Sequence, residues 1–406
     1  MIDYKVIPGG ITAVEGFSAA GVQVNIKKAK KDMAMVYCHT PARAAAVYTQ
    51  NKVKAAPIVV NAQNLSQGEA QAIVVNSGVA NACTGEQGLA DAREMVSLTA
   101  ELLGLESHQI IVASTGVIGV NLPMDKVRQG IKECSRKLSP DGGLDAAAAI
   151  MTTDTYPKEY AVEFELDGKK VVIGGMSKGS GMIHPNMATM LGFLSTNISI
   201  SKEMLKATLS HVVDETFNMI TVDGDTSTND MVAVLASGSA GNAEITTMDK
   251  NYHAFTKVLK EVAAHLAKEV VRDGEGATKL LSITVDHAYT VKDARRAAMA
   301  VANSSLVKTA FFGEDANWGR IFSAVGYSGA EFSPGKVDIW IESEAGSEQM
   351  LSAGAGLKFD EVKTGEILAR RDINVKIDLK VGDKSATAWT CDFSYDYVKI
   401  NADYRT

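Results

Sequence analysis

The feature that most constrains the fold is the alternation of strand-like and helix-like stretches along the whole sequence. Residues 89–103 carry apolar side chains at helical spacing, and Gly104 follows as a natural stop. The next apolar run, residues 110–113, is short and rich in β-branched residues, and it leads into a predicted turn at 114–116. Because no internal repeat or low-complexity linker interrupts this alternation, the predicted fold class is α/β.

The same patterns predict further elements. Alternating side chains at 160–166, followed by Asp167-Gly168 and then by 169–173, predict two paired strands joined by a two-residue turn. A second hairpin is predicted between 373–381 and 386–393. Helical spacing of apolar residues predicts additional helices, at 124–134, 201–217 and 252–271.

A division into two units is predicted near residue 280. A chain of 406 residues is long enough to form more than one domain. Gly274 and Gly276 are followed by a fresh strand pattern at 281–285. We therefore expect a larger catalytic α/β unit at 1–280 and a smaller C-terminal α/β unit at 281–406.

Composition and charge exclude several classes of partner. With 41 basic and 48 acidic residues, the net charge is −7, so the chain lacks the basic field that attracts nucleic-acid phosphates. The four cysteines form no Cys-x-x-Cys pair, which argues against a zinc cage or a disulfide framework and fits a reducing compartment. No signal-like N-terminus and no run of ~20 apolar residues is present. We expect a cytoplasmic protein without nucleic-acid or membrane partners.

The segment 178–191 is unusual for a loop or a strand. Its glycines permit tight backbone geometry, while Pro185 fixes its own φ and restricts His184 before it. A small residue, Ala188, then precedes Thr189, whose side chain is β-branched and carries a hydroxyl. The segment is compatible with a rigid approach to a reactive threonine. The plain alternative is an ordinary strand threonine after a glycine-rich turn.

The chemistry that this segment suggests is self-cleavage. The Thr189 hydroxyl would attack the Ala188 carbonyl, the amide would become an ester by an N-to-O shift, and water would release two chains. The freed α-amine has an unperturbed pKa of about 7.7–8.0, so part of it is neutral near pH 7 and can take the hydroxyl proton. Thr189 would then be both nucleophile and base.

Other candidate groups fit catalysis less well. His184 is interpreted as structural, because the α-amine already supplies a base and the seven histidines show no metal-ligand spacing. Cys83 has no paired histidine motif. The Gly-Ser-Gly at 179–181 lacks the Gly-Lys-Ser/Thr that completes a phosphate-binding loop.

The run from Lys178 to Leu191 resembles the autoprocessing motif of the glutamate N-acetyltransferase family, also called ornithine acetyltransferases. The broader group contains a self-processing aminopeptidase. Further segments resemble motifs of the family in the family's order, at 76–85, 114–116, 152–154, 223–226, 273–276, 317–320 and 401–406. The resemblance therefore spans the whole chain.

This resemblance implies a layered α/β sandwich of the self-processing aminopeptidase and ornithine acetyltransferase type, with a smaller C-terminal α/β domain. Cleavage between Ala188 and Thr189 would give an α chain of residues 1–188 and a β chain of residues 189–406, assembled as α2β2. In a ping-pong reaction, N-acetylornithine would acetylate Thr189 and glutamate would then accept the acetyl group. No metal or cofactor is implied, and acetyl-CoA stays open as a second acetyl donor.

The resemblance also implies site residues. Thr115 and Gly116 would hold the oxyanion through a hydroxyl and a backbone N–H. Substrate contacts would fall on Thr152, Lys178, Thr189, Glu275, Asn401 and Thr406. A lysine suits a carboxylate and Glu275 suits an amine, although Asp273 is a competing carboxylate nearby. The last contacts require the C-terminus to fold back rather than fray.

Two other functions stay open from the sequence. A hydrolase like the self-processing aminopeptidase, or an amidase, would consume substrate without glutamate, because water would deacylate Thr189. A non-catalytic binding protein with a glycine-rich loop would stay a single chain of 43.1 kDa.

Overall fold

The computed structural model of the chain describes residues 3–184 and 190–403. Within these ranges it contains sixteen strands and eleven α-helices. Nine strands form the first sheet: β1 (Tyr4–Ile7), β2 (Phe17–Val22), β3 (Met33–Tyr48), β4 (Glu69–Val79), β5 (Ile110–Val117), β6 (Lys158–Leu166), β7 (Lys169–Lys178), β8 (Leu191–Thr196) and β10 (Met231–Ala236). Seven strands form the second: β9 (Ile220–Thr221), β11 (Leu280–Ala288), β12 (Asp338–Ser343), β13 (Gly346–Ser352), β14 (Ala355–Gly356), β15 (Asp372–Asp378) and β16 (Lys384–Cys391).

The helices connect these strands and cover their faces. They are α1 (Ala56–Asn64), α2 (Gly85–Leu103), α3 (Met124–Lys137), α4 (Gly143–Ile150), α5 (Lys202–Glu215), α6 (Lys250–Arg272), α7 (Val291–Asn303), α8 (Ser305–Phe312), α9 (Trp318–Tyr327), α10 (Glu361–Leu368) and α11 (Tyr395–Asp403). None of the helices in the described ranges is long and apolar enough to cross a membrane.

The long strand β3 divides the first sheet into two halves. Its first residues pair with β2 and β4, the register with β4 shifts between Tyr37 and Ala42, and residues 43–48 pair with β10. Pro41 lies in the interruption, where it has no N–H to donate to a neighbouring strand. One half is therefore β2 to β5, and the other runs from β3 through β10, β8, β7 and β6 to β1.

The two halves pack face to face. One apolar cluster contains Ile73 and Ile111 of the first half together with Phe193 and Ala233 of the second, all fully buried. The outer face of the first half packs against α1, α2 and α3, and that of the second against α5 and α6. Four layers result, in the order helix, sheet, sheet, helix, which confirms the predicted layered α/β sandwich.

Strand β10 illustrates why its sequence is apolar throughout. Met231, Ala233 and Leu235 belong to the cluster between the two halves, while Val232 and Val234 belong to the cluster under α5 and α6. Successive side chains of a strand point to opposite faces, so a strand covered on both sides must be apolar at every position.

Most of the elements predicted from periodicity are present. Helix α2 ends before Gly104, which takes the left-handed conformation with φ 66°. Strands β6 and β7 pair as an antiparallel hairpin, and Asp167 and Gly168 both have positive φ, as a tight turn of type I′ requires. The predicted helices at 124–134, 201–217 and 252–271 correspond to α3, α5 and α6.

The predicted second hairpin is wrong. Strands β15 and β16 exist, but β11 lies between them, parallel to β15 and antiparallel to β16. The connection crosses the end of β11, where the N–H groups of Leu379 and Val381 donate to the carbonyls of Asp286 and His287. Alternation of side chains identifies a strand, but it does not specify its neighbour in the sheet.

The second sheet lies largely in the C-terminal part of the chain. Its order is β14-β13-β12-β15-β11-β16-β9, and only β9 among these strands precedes residue 280. One apolar cluster joins residues of this sheet to α5, α6 and the second half of the first sheet. The division into 1–280 and 281–406 stays a prediction.

A close approach between β2 and α4 provides a test of this packing. A Cβ atom added to Gly21 would lie 1.9 Å from the carbonyl oxygen of Asp145. Because this clash is with backbone atoms, no side-chain rotation can relieve it. We expect Gly21→Ala to lower the free energy of unfolding by about 1–3 kcal/mol. Gly326→Ala is the matched control, because no atom lies within 4 Å of its added Cβ and α9 should gain up to about 1 kcal/mol. Urea unfolding followed by circular dichroism measures both, and equal midpoints would contradict the proposed close contact.

Candidate active site

A cavity of about 260 Å³ lies where the two halves of the first sheet meet the C-terminal helix. Its lining brings together the predicted site residues that the structure describes, namely Thr115, Gly116, Thr152, Lys178, Glu275 and Asn401. These residues come from β5, β7, α11 and the loops after α4 and α6. The remaining predicted site residues, Ala188, Thr189 and Thr406, lie outside the described residues.

Thr115 and Gly116 lie in the last part of β5 rather than in the predicted turn. The strand continues to Val117 because its parallel pairing with β4 extends over Gly116, which lies opposite Gly78. Gly116 has φ 131°, and a Cβ atom there would lie 2.3 Å from the carbonyl carbon of Gly78. This position therefore requires glycine.

Lys178, at the end of β7, organises the two threonines of the cavity. Its Nζ donates to Thr152 Oγ1 at 2.8 Å and to Thr115 Oγ1 at 3.3 Å. The carboxylate of Asp154 is 3.9 Å away. Only 7% of Lys178 is exposed, and burial lowers the pKa of its amine although Asp154 opposes the shift. Lys178 is therefore a buried lysine of the cavity and not a solvated surface residue.

Behind the cavity lies a buried network of charges. The Nζ of Lys158 lies 2.8 Å from Asp154 Oδ1 and 2.6 Å from Asp273 Oδ2, and all three side chains are almost completely shielded from solvent. Asp154 also accepts the backbone N–H of Gly179 at 2.7 Å. Burial alone would raise the pKa of Asp154, but Lys178 and Lys158 hold it well below its usual range.

Two of the predicted carboxylates have different surroundings. Asp273 faces Lys158 and also accepts the backbone N–H and the hydroxyl of Thr155, so it belongs to the buried network. Glu275 faces the cavity instead, where Asn401 Nδ2 donates to its Oε2 at 2.8 Å. The two carboxylates therefore occupy different places, Glu275 in the lining of the cavity and Asp273 in the buried network.

The C-terminal helix α11 brings Asn401 to the cavity. Asn401 Nδ2 also donates to the carbonyl of Tyr397, one turn earlier in the helix, at 3.0 Å. The ring of Tyr397 stacks on Phe393, with 4.8 Å between the ring centroids. The described part of the C-terminus thus folds back onto Glu275 rather than fraying.

The chain before the proposed cleavage point is held by the segment 221–226. The Asp223 carboxylate accepts the N–H groups of Met182 and Ile183 at 2.7 and 2.9 Å. The N–H of Val222 donates to the carbonyl of Ile183, and the hydroxyl of Thr226 donates to that of His184. Burial raises the pKa of Asp223, and the N–H groups that donate to it oppose that shift.

Some residues of the cavity were not predicted as site residues. Asn229 and Asp230 line it just before β10, and Tyr397 lines it from α11. Asn229 Nδ2 donates to the carbonyls of Ala80 and Ser114 at 2.6 and 2.8 Å, which joins this loop to β5. The sequence signal for Asn229 and Asp230 was a polar run immediately before the wholly apolar strand β10, because functional polar groups often lie at the ends of buried strands.

The other candidates considered from the sequence lie elsewhere. Within the described ranges, neither His184 nor Cys83 is among the residues that line the cavity, and Cys83 is an exposed free thiol. Burial lowers the pKa of His184. No group of three or more His, Cys, Asp or Glu side chains that could hold a metal occurs in residues 3–184 and 190–403.

Comparison with known proteins identifies the family of the chain. Residues 18–406 match the ArgJ family. The chain belongs to this family. It is 55% identical over 403 residues to the arginine biosynthesis bifunctional protein ArgJ of Symbiobacterium thermophilum, covering 98% of this chain and 99% of that protein. The proteins of the same name from Caldanaerobacter subterraneus subsp. tengcongensis and Geobacillus kaustophilus are 50% and 48% identical, covering 99% of this chain in each case and 100% and 97% of those proteins.

Membership in the ArgJ family confirms the resemblance that the motifs indicated, and with it the prediction of an acetyltransferase of arginine biosynthesis. The residue roles are a separate question. The structure brings six predicted site residues to one cavity, and their individual functions are proposed below.

The buried network behind the cavity should be essential for stability. Lys158→Met removes the cation and leaves Asp154 and Asp273 buried without a partner of opposite charge, so we expect a loss of about 3–5 kcal/mol in the free energy of unfolding. Lys170→Met is the matched control, because Lys170 pairs with Glu163 on the surface at 2.6 Å and such pairs contribute about 1 kcal/mol or less. Urea unfolding of both variants measures the difference, and similar small losses would refute the expectation.

Proposed function

We propose that this chain is a self-cleaving ornithine acetyltransferase in which Thr189 becomes the N-terminal residue of a new chain and carries the acetyl group. N-acetylornithine acetylates the Thr189 hydroxyl and ornithine leaves. The amine of glutamate then attacks the ester and forms N-acetylglutamate. The observation that supports this most directly is the contact of Lys178 with both Thr115 and Thr152 in the cavity beside β8, the strand that follows Thr189.

This contact prepares Thr115 to bind an oxyanion. A lysine ammonium can only donate hydrogen bonds, so Thr115 Oγ1 must accept and its own hydroxyl hydrogen is available to the cavity. Together with the N–H of Gly116, this gives the two donors that stabilise the negative oxygen of a tetrahedral intermediate. Both the acylation and the deacylation of Thr189 pass through such an intermediate.

The same reasoning assigns the substrate contacts. Thr152 Oγ1 also accepts from Lys178, so its hydroxyl hydrogen and the lysine can together bind the carboxylate that both amino-acid substrates carry. Glu275 receives Asn401 at Oε2, which leaves Oε1 for an ammonium group of the substrate. Thr406 is proposed to complete this end of the site.

Further features of the function are also proposals. Acetyl-CoA serves as a second acetyl donor, in keeping with the word bifunctional in the relatives' name. The two product chains pair and assemble as α2β2 in the cytoplasm. The reaction needs no metal or bound cofactor, because the nucleophile, the base and the oxyanion donors are all supplied by the chain.

Self-cleavage and acetyl transfer can be tested together. The purified chain should give two bands, and the N-terminal sequence of the larger product, residues 189–406, should begin Thr-Met-Leu-Gly-Phe. Incubation with N-acetylornithine should add an acetyl group to the peptide that starts at Thr189, and glutamate should remove it. Mass spectrometry of the digested protein measures both steps. Thr189→Ala should stay a single chain of 43.1 kDa, because the attacking hydroxyl is missing.

The control for this test is Thr196→Ala, a threonine of β8 that should leave cleavage unchanged. Release of the acetyl group at the same rate without glutamate would favour the aminopeptidase-like hydrolase instead. A wild-type chain that stays intact would exclude both enzymes.

The oxyanion role predicts a specific kinetic defect. Thr115→Val keeps the size of the side chain but removes the hydroxyl, so we expect kcat to fall by roughly 10²–10³ while KM changes little. Turnover must be divided by the amount of free Thr189 terminus, so that incomplete cleavage is not counted as slow turnover. Thr99→Val is the matched control, because Thr99 is buried in α2 and donates to the Met95 carbonyl far from the cavity. An unchanged kcat for Thr115→Val would refute the role.

A further inference from the structure

Strand β5, which carries the proposed oxyanion donors, has β4 as its single neighbour among the described strands. The groups on its other edge need partners from outside the sheet, because buried backbone N–H and C=O groups are almost always hydrogen-bonded. Asparagine side chains of α1 supply them. Asn64 Nδ2 donates to the carbonyl of Ile110 at 3.2 Å. Asn61 accepts the N–H of Val112 at 2.9 Å and donates to its carbonyl at 2.7 Å. These contacts identify the free edge of β5.

Asn229 continues this series where β5 reaches the cavity. Its Nδ2 donates to the carbonyl of Ser114 at 2.8 Å and to that of Ala80, just after β4, at 2.6 Å. Both partners are carbonyls, which can only accept, so the amide has one orientation and both of its hydrogens are used. Its Oδ1 accepts the hydroxyl of Thr228 at 2.6 Å, and the residue is 7% exposed. Both polar atoms of this buried side chain are therefore bonded.

The direction of the backbone places the N–H of Gly116 next to this contact. In an extended strand the N–H and C=O of one residue point to one edge, and those of the next residue point to the other. Val112 bonds to Asn61 on the free edge, so Ser114 and then Gly116 present their groups to the same edge. The carbonyl held by Asn229 directly precedes the Gly116 N–H along that edge, and Gly116 lines the cavity.

The loop that carries Asn229 is itself fixed. The N–H of Thr49 donates to the carbonyl of Asp230 at 3.0 Å, and the N–H of Ala55 donates to the carbonyl of Thr228 at 3.0 Å. Asn229 is thus held on both sides along the chain, and it holds β5 from a fixed point. It belongs to the second proposed product chain, whereas the oxyanion donors belong to the first.

We propose that Asn229 is a positioning residue of the acetyl transfer, which fixes the end of β5 so that the N–H of Gly116 is directed into the cavity as an oxyanion donor. The inference rests on the proposed function and adds a residue that acts through β5 rather than on the substrate. Stabilisation of an oxyanion requires donors that are already in place, since a misplacement of about 1 Å can cost roughly 10² in rate. Each product chain then supplies a different part of one site.

The test compares Asn229→Ala with Asn61→Ala in the full-length chain. Both substitutions remove a buried amide that bonds the free edge of β5. Asn61 is the matched control, because its contact at Val112 lies further from Gly116 and it is not among the described residues that line the cavity. Asn229→Asp is a second variant, since it keeps the shape of the side chain but a carboxylate cannot donate to two carbonyls. Rates are measured per free Thr189 terminus, and urea unfolding measures stability.

We expect Asn229→Ala to lower kcat by roughly 10- to 100-fold with little change in KM, and Asn229→Asp to cause a loss of the same order. Acetylation by N-acetylornithine and deacetylation by glutamate should slow by similar factors in single-turnover measurements, because both steps pass through an oxyanion. Asn61→Ala should lower the urea midpoint while its kcat stays within about twofold of wild type. A merely structural role of Asn229 would change only the midpoint.

A kcat within about twofold of wild type for both Asn229 variants would overturn the inference, and so would an equal loss of kcat in Asn61→Ala. Where a variant stays uncleaved, amide hydrogen exchange is measured instead and should be faster than wild type at residues 115–117. Exchange at the wild-type rate there would also overturn it. These failures leave the proposed function intact as long as Thr115→Val still loses kcat. A wild-type chain without acetyl transfer would remove the proposed function and this inference together.

Discussion

The ion pair between Lys158 and Asp273 is the interaction on which the site depends. It joins a strand before the proposed cleavage point to the loop that follows α6, and it is almost completely shielded from solvent. Asp154 shares the same lysine and accepts the backbone N–H of Gly179, near the start of the segment 178–191. Because a buried charge must be paired, these groups fix one another, and Lys178 and Glu275 are positioned on either side as a consequence.

The sheet explains how a broken chain can stay folded. Strands β8 and β10 follow the proposed cleavage point, yet β8 pairs with β7 and β10 pairs with β3, both of which precede it. The two strands of the second proposed product therefore lie side by side between strands of the first product within one sheet. Separating them would unpair two antiparallel ladders and expose the apolar clusters on both faces. Loss of the peptide bond between Ala188 and Thr189 removes none of these strand pairings.

The sequence predicted the secondary-structure elements and the family better than the strand order of the sheets and the positions of side chains around the cavity. Periodicity located α2 and the hairpin of β6 and β7, because both depend on local spacing and on residues such as Gly104 and Gly168. It failed for β15 and β16, since the insertion of β11 between them depends on contacts that are distant in sequence. The motifs indicated Lys178 and Glu275, but the separation of Glu275 from Asp273 and the presence of Asp230 follow from three-dimensional proximity alone.

Burial raises the pKa of two carboxyl groups of this region, and the position of the lysines decides whether the net shift is upward or downward. Asp154 is surrounded by Lys158 and Lys178, so it is ionised and contributes stability above its unfolded pKa of ~3.9, which is lost as the pH falls through its lower folded pKa. Asp230 has weaker compensation and burial raises its pKa, so its contribution is complete below ~3.9 and is lost as the pH rises towards its higher folded pKa. Two carboxyls with separated pKa values can perform different tasks at one pH. Here the ionised carboxyl of Asp154 holds the framework behind the cavity through Lys158 and the N–H of Gly179.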